Sequence, residues 1–159
     1  VVAVRADKLN FTPLMFLDFW SLASSLRSKV GLFETGVFIA RDGDRWAAEL
    51  RDWTPLRNVL ARVRKSPAAQ GHEMGGVRIE RLNPGEASAW LPPASDVIEV
   101  QAAIVTNPSC YVFAGIAALH LQIGHLTAVN RALPCCAVNW GETPRYHLIL
   151  EFRKIGDEQ

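Results

Sequence analysis

The chain has 159 residues, 49% of them hydrophobic and 21% charged, with a formal net charge of +1. That composition supplies a core for one globular domain and leaves too little length for a second full one. The near-neutral balance and the lack of a long basic run argue against a nucleic-acid partner, and no apolar run is long enough to span a membrane. The opening VVAVRADKLNF is broken by Arg5, Asp7 and Lys8, and Val1 in place of Met is compatible with a trimmed leader. The three cysteines, Cys110, Cys135 and Cys136, include an adjacent pair that suits neither an unstrained disulfide nor a structural zinc spacing. They point to a reducing, cytoplasmic setting.

In chain order, Val1 to Arg5 reads as a short strand and Asn10 to Pro13 as a turn. From Leu14 to Val30 the apolar residues Leu14, Leu17, Trp20, Leu22 and Leu26 recur at mostly helical spacing, and Gly31 stops the run. Phe33 to Ile39 reads as a strand closed by a turn over Arg41 to Asp44. A second helix is expected from Thr54, with Pro55 at its first position and Leu56, Leu60 and Val63 on one face. Lys65 to Gly76 reads as a loop by its Gly and Pro content. From Val77 onward the chain becomes short strands and turns: Val77 to Leu82, Val97 to Thr106, Tyr111 to Ala114, Ala118 to Ile123, Thr127 to Asn130, and a last strand from Arg145. There is no repeat and no linker. The expected organisation is one domain over 1–159, with 1–76 as a helix-and-strand support and 77–153 as a β-rich core.

The segment Pro134 to Arg153, PCCAVNWGETPRYHLILEFR, sets a polar turn before a strand whose two faces differ. Arg145, His147 and Ile149 fall on one side, and Tyr146, Leu148 and Leu150 on the other. This segment resembles the end of the aspartyl/asparaginyl β-hydroxylase-like branch of the iron(II)/2-oxoglutarate oxygenases, which reads P-H-x-V-x-N, a Gly turn, then R-x-H-L. RIERLNPG at Arg78 to Gly85, AAIVTNP at Ala102 to Pro108 and GHLTAVN at Gly124 to Asn130 extend the resemblance over roughly half of the chain, in the family's order. It implies a mainly β, α+β protein built on a double-stranded β-helix, a cupin-like jelly roll, with the N-terminal helices packed on one outer face.

The departures from the family pattern bear on function. By the resemblance, an iron-binding histidine should stand at Cys135, and the arginine ten positions on, Arg145, should grip the far carboxylate of 2-oxoglutarate. The family's H-x-D loop falls best on Trp90 to Asp96, with Ala94 in place of the histidine and Asp96 as the carboxylate. Two histidines and a carboxylate hold iron in such oxygenases, and both histidines are missing here. No protein metal ligand set is therefore expected, and iron(II) with 2-oxoglutarate enters only if atypical ligands replace the lost ones. Where the family carries an inward R-x-H, this chain has Glu99 and Gln101 on one strand face, so that Glu99 is expected opposite Arg145.

The candidate catalytic residues are Asp96, as a general base walled by Trp90, and Glu99. Candidate ligand-binding residues are Arg145, Gln101, Trp90, Cys135 and His147. Plainer readings stand beside them: Arg145 as a solvated strand-end cation, Cys135 and Cys136 as small buried hydrophobes, His147 as a packing residue, and Asn139 and Gly141 as turn chemistry. Three functions are compatible with this pattern. One is a metal-independent barrel that binds a small organic molecule and catalyses a cyclisation, isomerisation or proton transfer. The others are a non-catalytic binding protein and an active hydroxylase with unusual ligands. Jelly rolls often pair through sheet edges, so a homodimer fits, although no residue specifies it.

Overall fold

The structure, a computed structural model, describes residues 4–5, 13–26, 37–42, 45–47, 51–65 and 69–156. Among these the elements run β1 (Val4–Arg5), α1 (Pro13–Leu26), β2 (Val37–Asp42), β3 (Arg45–Trp46), α2 (Thr54–Lys65), β4 (His72–Leu82), β5 (Val97–Val105), β6 (Cys110–Ala114), β7 (Ala117–Leu119), β8 (Leu126–Val129), β9 (Cys135–Asn139) and β10 (Arg145–Lys154). A seven-stranded sheet has the order β1-β8-β5-β10-β4-β2-β3, and a three-stranded sheet the order β7-β6-β9. The segment 87–91 extends the small sheet through bridges from Ala87 to Val138 and from Leu91 to Cys135. From β4 the chain then passes to 87–91, β5, β6, β7, β8, β9 and β10, and only the β6–β7 step stays within one sheet. That winding is a double-stranded β-helix, as expected for a jelly roll.

The helices explain which way the large sheet faces. On α2, Leu56, Val59, Leu60 and Val63 recur at helical spacing and are all buried. They pack with Leu22 and Leu26 of α1 against Val77 and Ile79 of β4, Ala102 and Ile104 of β5, and Tyr146, Leu148, Leu150 and Phe152 of β10. Trp53 donates its indole N–H to Ser25 Oγ at 2.8 Å, and Arg62 pairs with Asp18, which ties the two helices together. The apolar half of each central strand thus faces out, beneath the helices. The alternate half, carrying Arg78, Glu80, Glu99, Gln101, Arg145 and His147, faces the small sheet. A second apolar cluster, Leu82, Ala103, Val112, Ala114, Leu121, Val129, Cys135 and Ala137, fills the rest of the space between the sheets.

Several expectations are corrected in detail. His72 to Gly76 belongs to strand β4 and not to a loop, because it pairs with the end of β10, Phe152 to Lys154. Arg41 and Asp42 continue β2, paired with Trp46 and Arg45 of β3, and do not form the turn. Strand β7 ends at Leu119, so the expected run to Ile123 is shorter, although Ile123 makes one bridge to Ala103. Asn139, read with Gly141 as turn chemistry, is the last residue of the fully buried strand β9, Cys135–Asn139, for which no strand was expected. The expected Val1–Ala3, the turn before Pro13, the helix end beyond Leu26 and the strand start before Val37 fall outside the described residues. No helix among the described residues is long and apolar enough to cross a membrane.

Candidate functional site

Strand β10 lies between β4 and β5, and its inward side chains set out the site. Arg145, wholly buried, donates from Nη1 to Glu80 Oε1 at 2.8 Å and from Nη2 to His147 Nδ1 at 2.8 Å. A guanidinium cannot accept, so His147 Nδ1 is the acceptor and the neutral ring carries its proton on Nε2. Burial, and then the neighbouring Arg145 charge, hold the His147 pKa well below the usual histidine value. Gln101 Oε1 also approaches Nδ1, at 3.1 Å, and with the lone pair committed to Arg145 this is a close contact between acceptors.

A second polar cluster adjoins the first. Gln101 Nε2 donates to Glu99 Oε1 at 2.6 Å, and Arg78 Nη2 donates to Glu99 Oε2 at 2.9 Å. Arg78 Nη1 donates to Glu151 at 3.1 Å, while Arg131 Nε lies 3.6 Å from Glu99 Oε2. Glu99 is 2% exposed and has both oxygens engaged. Arg78, Glu99, Arg131 and Glu151 line a cleft of about 760 Å³ that also reaches Glu80, Leu91 and Val97. At its floor the cleft narrows to a pocket of about 20 Å³, where Gln101, Cys135, Cys136 and Ile149 join the lining.

The candidate residues are therefore divided. Glu99 and Gln101 meet at the cleft floor. Arg145 and His147 lie together behind it and do not line it. The expected Arg145–Glu99 pair does not form: Arg145 takes Glu80, and Glu99 takes Arg78 and Arg131. Asp96 does not have the walled position expected of it. Its side chain is 72% exposed, 3.8 Å from Arg153, and Trp90, 59% exposed, does not line the cleft, whereas Ala89 and Leu91 do. Side-chain alternation along 89–91 turns Trp90 outward. Arg78, Glu80, Arg131 and Glu151 were missed. The signal for the first two is the alternation in Val77-Arg-Ile-Glu-Arg-Leu82, with the apolar set beneath the helices and the charged set inside.

The donor set does not fit an iron(II) ion. Among the described residues no three His, Cys, Asp or Glu side chains cluster so as to hold a metal. Ala94 has no ligating side chain; its backbone N–H donates to Arg131 O at 2.6 Å and its carbonyl accepts from Val97 N–H at 3.3 Å. The Cys135 thiol donates to Leu133 O at 3.3 Å, and burial raises its pKa despite the neighbouring Arg131. Burial, followed by Cys135, raises that of Cys136. In that state each thiol holds its proton, which a metal would have to displace. Arg145 is already paired with a carboxylate, that of Glu80, although its Nε has no partner among the described residues.

No family model matches the chain. It is 23% identical over 137 residues to L-proline cis-4-hydroxylase of Rhizobium meliloti (strain 1021), an alignment that takes in 82% of this chain and 46% of that protein. The chain thus spans about half the length of this curated relative. The viral collagen prolyl hydroxylase vCPH of Paramecium Bursaria Chlorella virus-1 superposes over 89% of this chain and 85% of its own, with a TM-score of 0.59 and 8% identity. AviO1 of Streptomyces viridochromogenes Tue57 does so over 96% and 90%, with a TM-score of 0.58 and 11% identity. Together with the winding of the strands, the likeness to these two structures gives the chain a double-stranded β-helix fold.

Proposed function

We propose that the protein is an aspartyl/asparaginyl hydroxylase-like β-helix with a degenerate iron site, which binds a small organic molecule in the cleft before Glu99 without iron(II) or 2-oxoglutarate. One observation carries the reading: the arginine that the resemblance assigns to the cosubstrate is wholly buried and paired with Glu80, while a cleft of about 760 Å³, lined by Glu80 and not by that arginine, opens beside it. That volume is within the range of small-molecule sites. Its mixture of arginines, carboxylates and apolar residues suits a polar ligand with an apolar body. The similarity to an L-proline hydroxylase makes amino-acid-sized molecules the first class to screen.

Two activities fit such a site. A metal-independent proton transfer, isomerisation or cyclisation would use Glu99 as the buried carboxylate at the floor, with Arg78 and Arg131 stabilising developing negative charge. A non-catalytic binding role is favoured by the engagement of both Glu99 oxygens, since donors on each stabilise the carboxylate and weaken it as a base.

The test is metal analysis of the purified protein followed by anaerobic titration with iron(II) and 2-oxoglutarate, alongside a thermal-shift screen of small polar molecules. The expected result is no stoichiometric metal, no charge-transfer band and at least one stabilising small molecule. A saturable band, with succinate formed on admitting oxygen, overturns the reading and restores a hydroxylase with atypical ligands.

A further inference from the structure

We infer that the cleft contains an anion subsite centred on Arg131, which takes the carboxylate of an organic acid whose apolar body lies along Leu91 and Val97. This rests on the small-molecule reading of the same cleft and adds the chemical class of the ligand and the residue that selects it.

Arg131 is placed by a tight turn after β8. Asn130 Oδ1 accepts from Ala132 N–H at 3.0 Å, and Leu133 N–H closes on Asn130 O at 3.3 Å. The side chain is then held from two sides: Nη2 donates to Pro92 O at 3.1 Å, and Nε stands 3.6 Å from Glu99 Oε2. The residue is only 8% exposed and lines the cleft, yet its Nη1 is buried with no partner among the described residues. A guanidinium carries five N–H donors in a fixed fork, and a buried one left unmatched costs stability until an acceptor arrives.

Charge points the same way. The Glu99 oxygen nearest Arg131 already accepts from Arg78 at 2.9 Å, so two cations converge on one carboxylate oxygen. Arg78 has Glu151 as a second partner at 3.1 Å, whereas the 3.6 Å approach is the one ionic contact of Arg131 among the described residues. The Cys135 thiol, hydrogen-bonded beside it, adds no compensating charge while it stays protonated. Of the guanidinium nitrogens buried without a partner among the described residues, Arg145 Nε lies behind the cleft and Arg131 Nη1 belongs to a residue that lines it. A planar carboxylate matches the guanidinium fork, and Arg78, 20% exposed and converging on the same Glu99 oxygen, adds a second positive charge beside it. The apolar wall supplied by Leu91 and Val97 favours an organic acid over inorganic phosphate.

The test is calorimetric titration at fixed ionic strength with three probes, benzoate, its uncharged analogue benzamide, and inorganic phosphate. The proteins are the unmodified chain, Arg131→Gln and Arg131→Lys, with Arg57→Gln, on the exposed side of α2 and away from the cleft, as a control. The expected result is that benzoate binds at least tenfold more tightly than benzamide or phosphate. Arg131→Gln should remove that preference, Arg131→Lys should retain part of it, and Arg57→Gln should leave it intact. If Arg131→Gln does not fold, Arg131→Lys carries the comparison, since losing the fork must still weaken benzoate relative to benzamide. Equal binding of benzoate and benzamide overturns the subsite while leaving the small-molecule reading standing. Equal loss of benzoate in Arg57→Gln also overturns it, as does absence of binding by all three probes, and the small-molecule reading then stands or falls on the thermal-shift screen.

Discussion

The carboxylate of Glu80 lies 2.8 Å from Arg145 Nη1, and the arginine it holds is entirely buried within the β-helix. Two charges removed from water this way are tolerated because each compensates the other, and because His147 accepts a further N–H of the guanidinium. Removing one partner strands the other. Glu80→Ala or Arg145→Met alone should cost about 3–5 kcal/mol, and the paired change Glu80→Leu/Arg145→Met should cost much less than the sum of the two. Urea denaturation of the three variants measures this. An additive double variant would show that the two side chains do not depend on each other.

His147 makes the fold sensitive to acid. Its folded-state pKa is held well below the ordinary value of 6.5, chiefly by burial and then by Arg145. Below that ordinary value the unfolded chain binds a proton that the folded chain refuses, so the contribution is complete above it and is lost as pH falls. The loss should run at about 1.4 kcal/mol per pH unit until the folded-state pKa is reached. In His147→Gln this part of the slope should vanish while the acid titration of the carboxylates remains. Denaturation midpoints of both proteins at a series of pH values below 6.5 decide it, and parallel curves would count against a buried neutral imidazole.

How much of this could be read from the sequence depends on whether one strand or several are needed. The alternation of β10, and with it the opposed faces of Arg145/His147 and Tyr146/Leu148, follows from a single strand. So does the apolar face of α2, which Leu56, Leu60 and Val63 announce by their spacing. The partner of Arg145 does not follow, because it depends on the order β5-β10-β4 and on register. Glu99 is paired with Glu151, six residues along β10 from Arg145 and so about 20 Å away at the usual rise per residue. Glu80, by contrast, is the direct neighbour of His147 and one step diagonally from Arg145. Arg78 then separates the facing carboxylates of Glu99 and Glu151 by donating to both. The alternation of β4 alone does not say which face is inside, because a strand with helices on its outside inverts the usual polar-out pattern.

The turn before β10 is closed around a glycine for want of room. A Cβ on Gly141 would fall 2.1 Å from Asn107 Oδ1. The Asn107 carboxamide cannot easily retreat, since it donates to Asn139 Oδ1 at 3.1 Å and to Thr143 O at 3.0 Å and accepts from Ser109 N–H at 3.0 Å. Gly141→Ala should therefore destabilise by about 1–3 kcal/mol, as overpacking at a fixed site does. The same change made in an Asn107→Ala background should cost far less, although Asn107→Ala is itself harmful. A double-variant cycle by chemical denaturation tests this coupling, and equal costs in both backgrounds would locate the need for glycine elsewhere.

The three cysteines supply a direct check on the metal-free reading of the cleft floor. Cys110, Cys135 and Cys136 are all free and buried, and Cys110 and Cys135 donate their thiols to Asn139 Oδ1 and to Leu133 O at 3.3 Å each. Burial raises the pKa of Cys135 and of Cys136, so both should remain thiols, and it is the thiolate that reacts. With a disulfide reagent at pH 8, no thiol of the folded protein should react quickly, and all three should react once urea has unfolded it. The rate should follow unfolding and change with denaturant as the stability does. Rapid modification of one thiol in the folded state, assigned to Cys135 by mass spectrometry, would instead mean an exposed thiolate at the floor of the cleft. Cys135 would then become available as a soft metal ligand or a nucleophile, and the case for a metal-free cleft would have to be rebuilt from that residue.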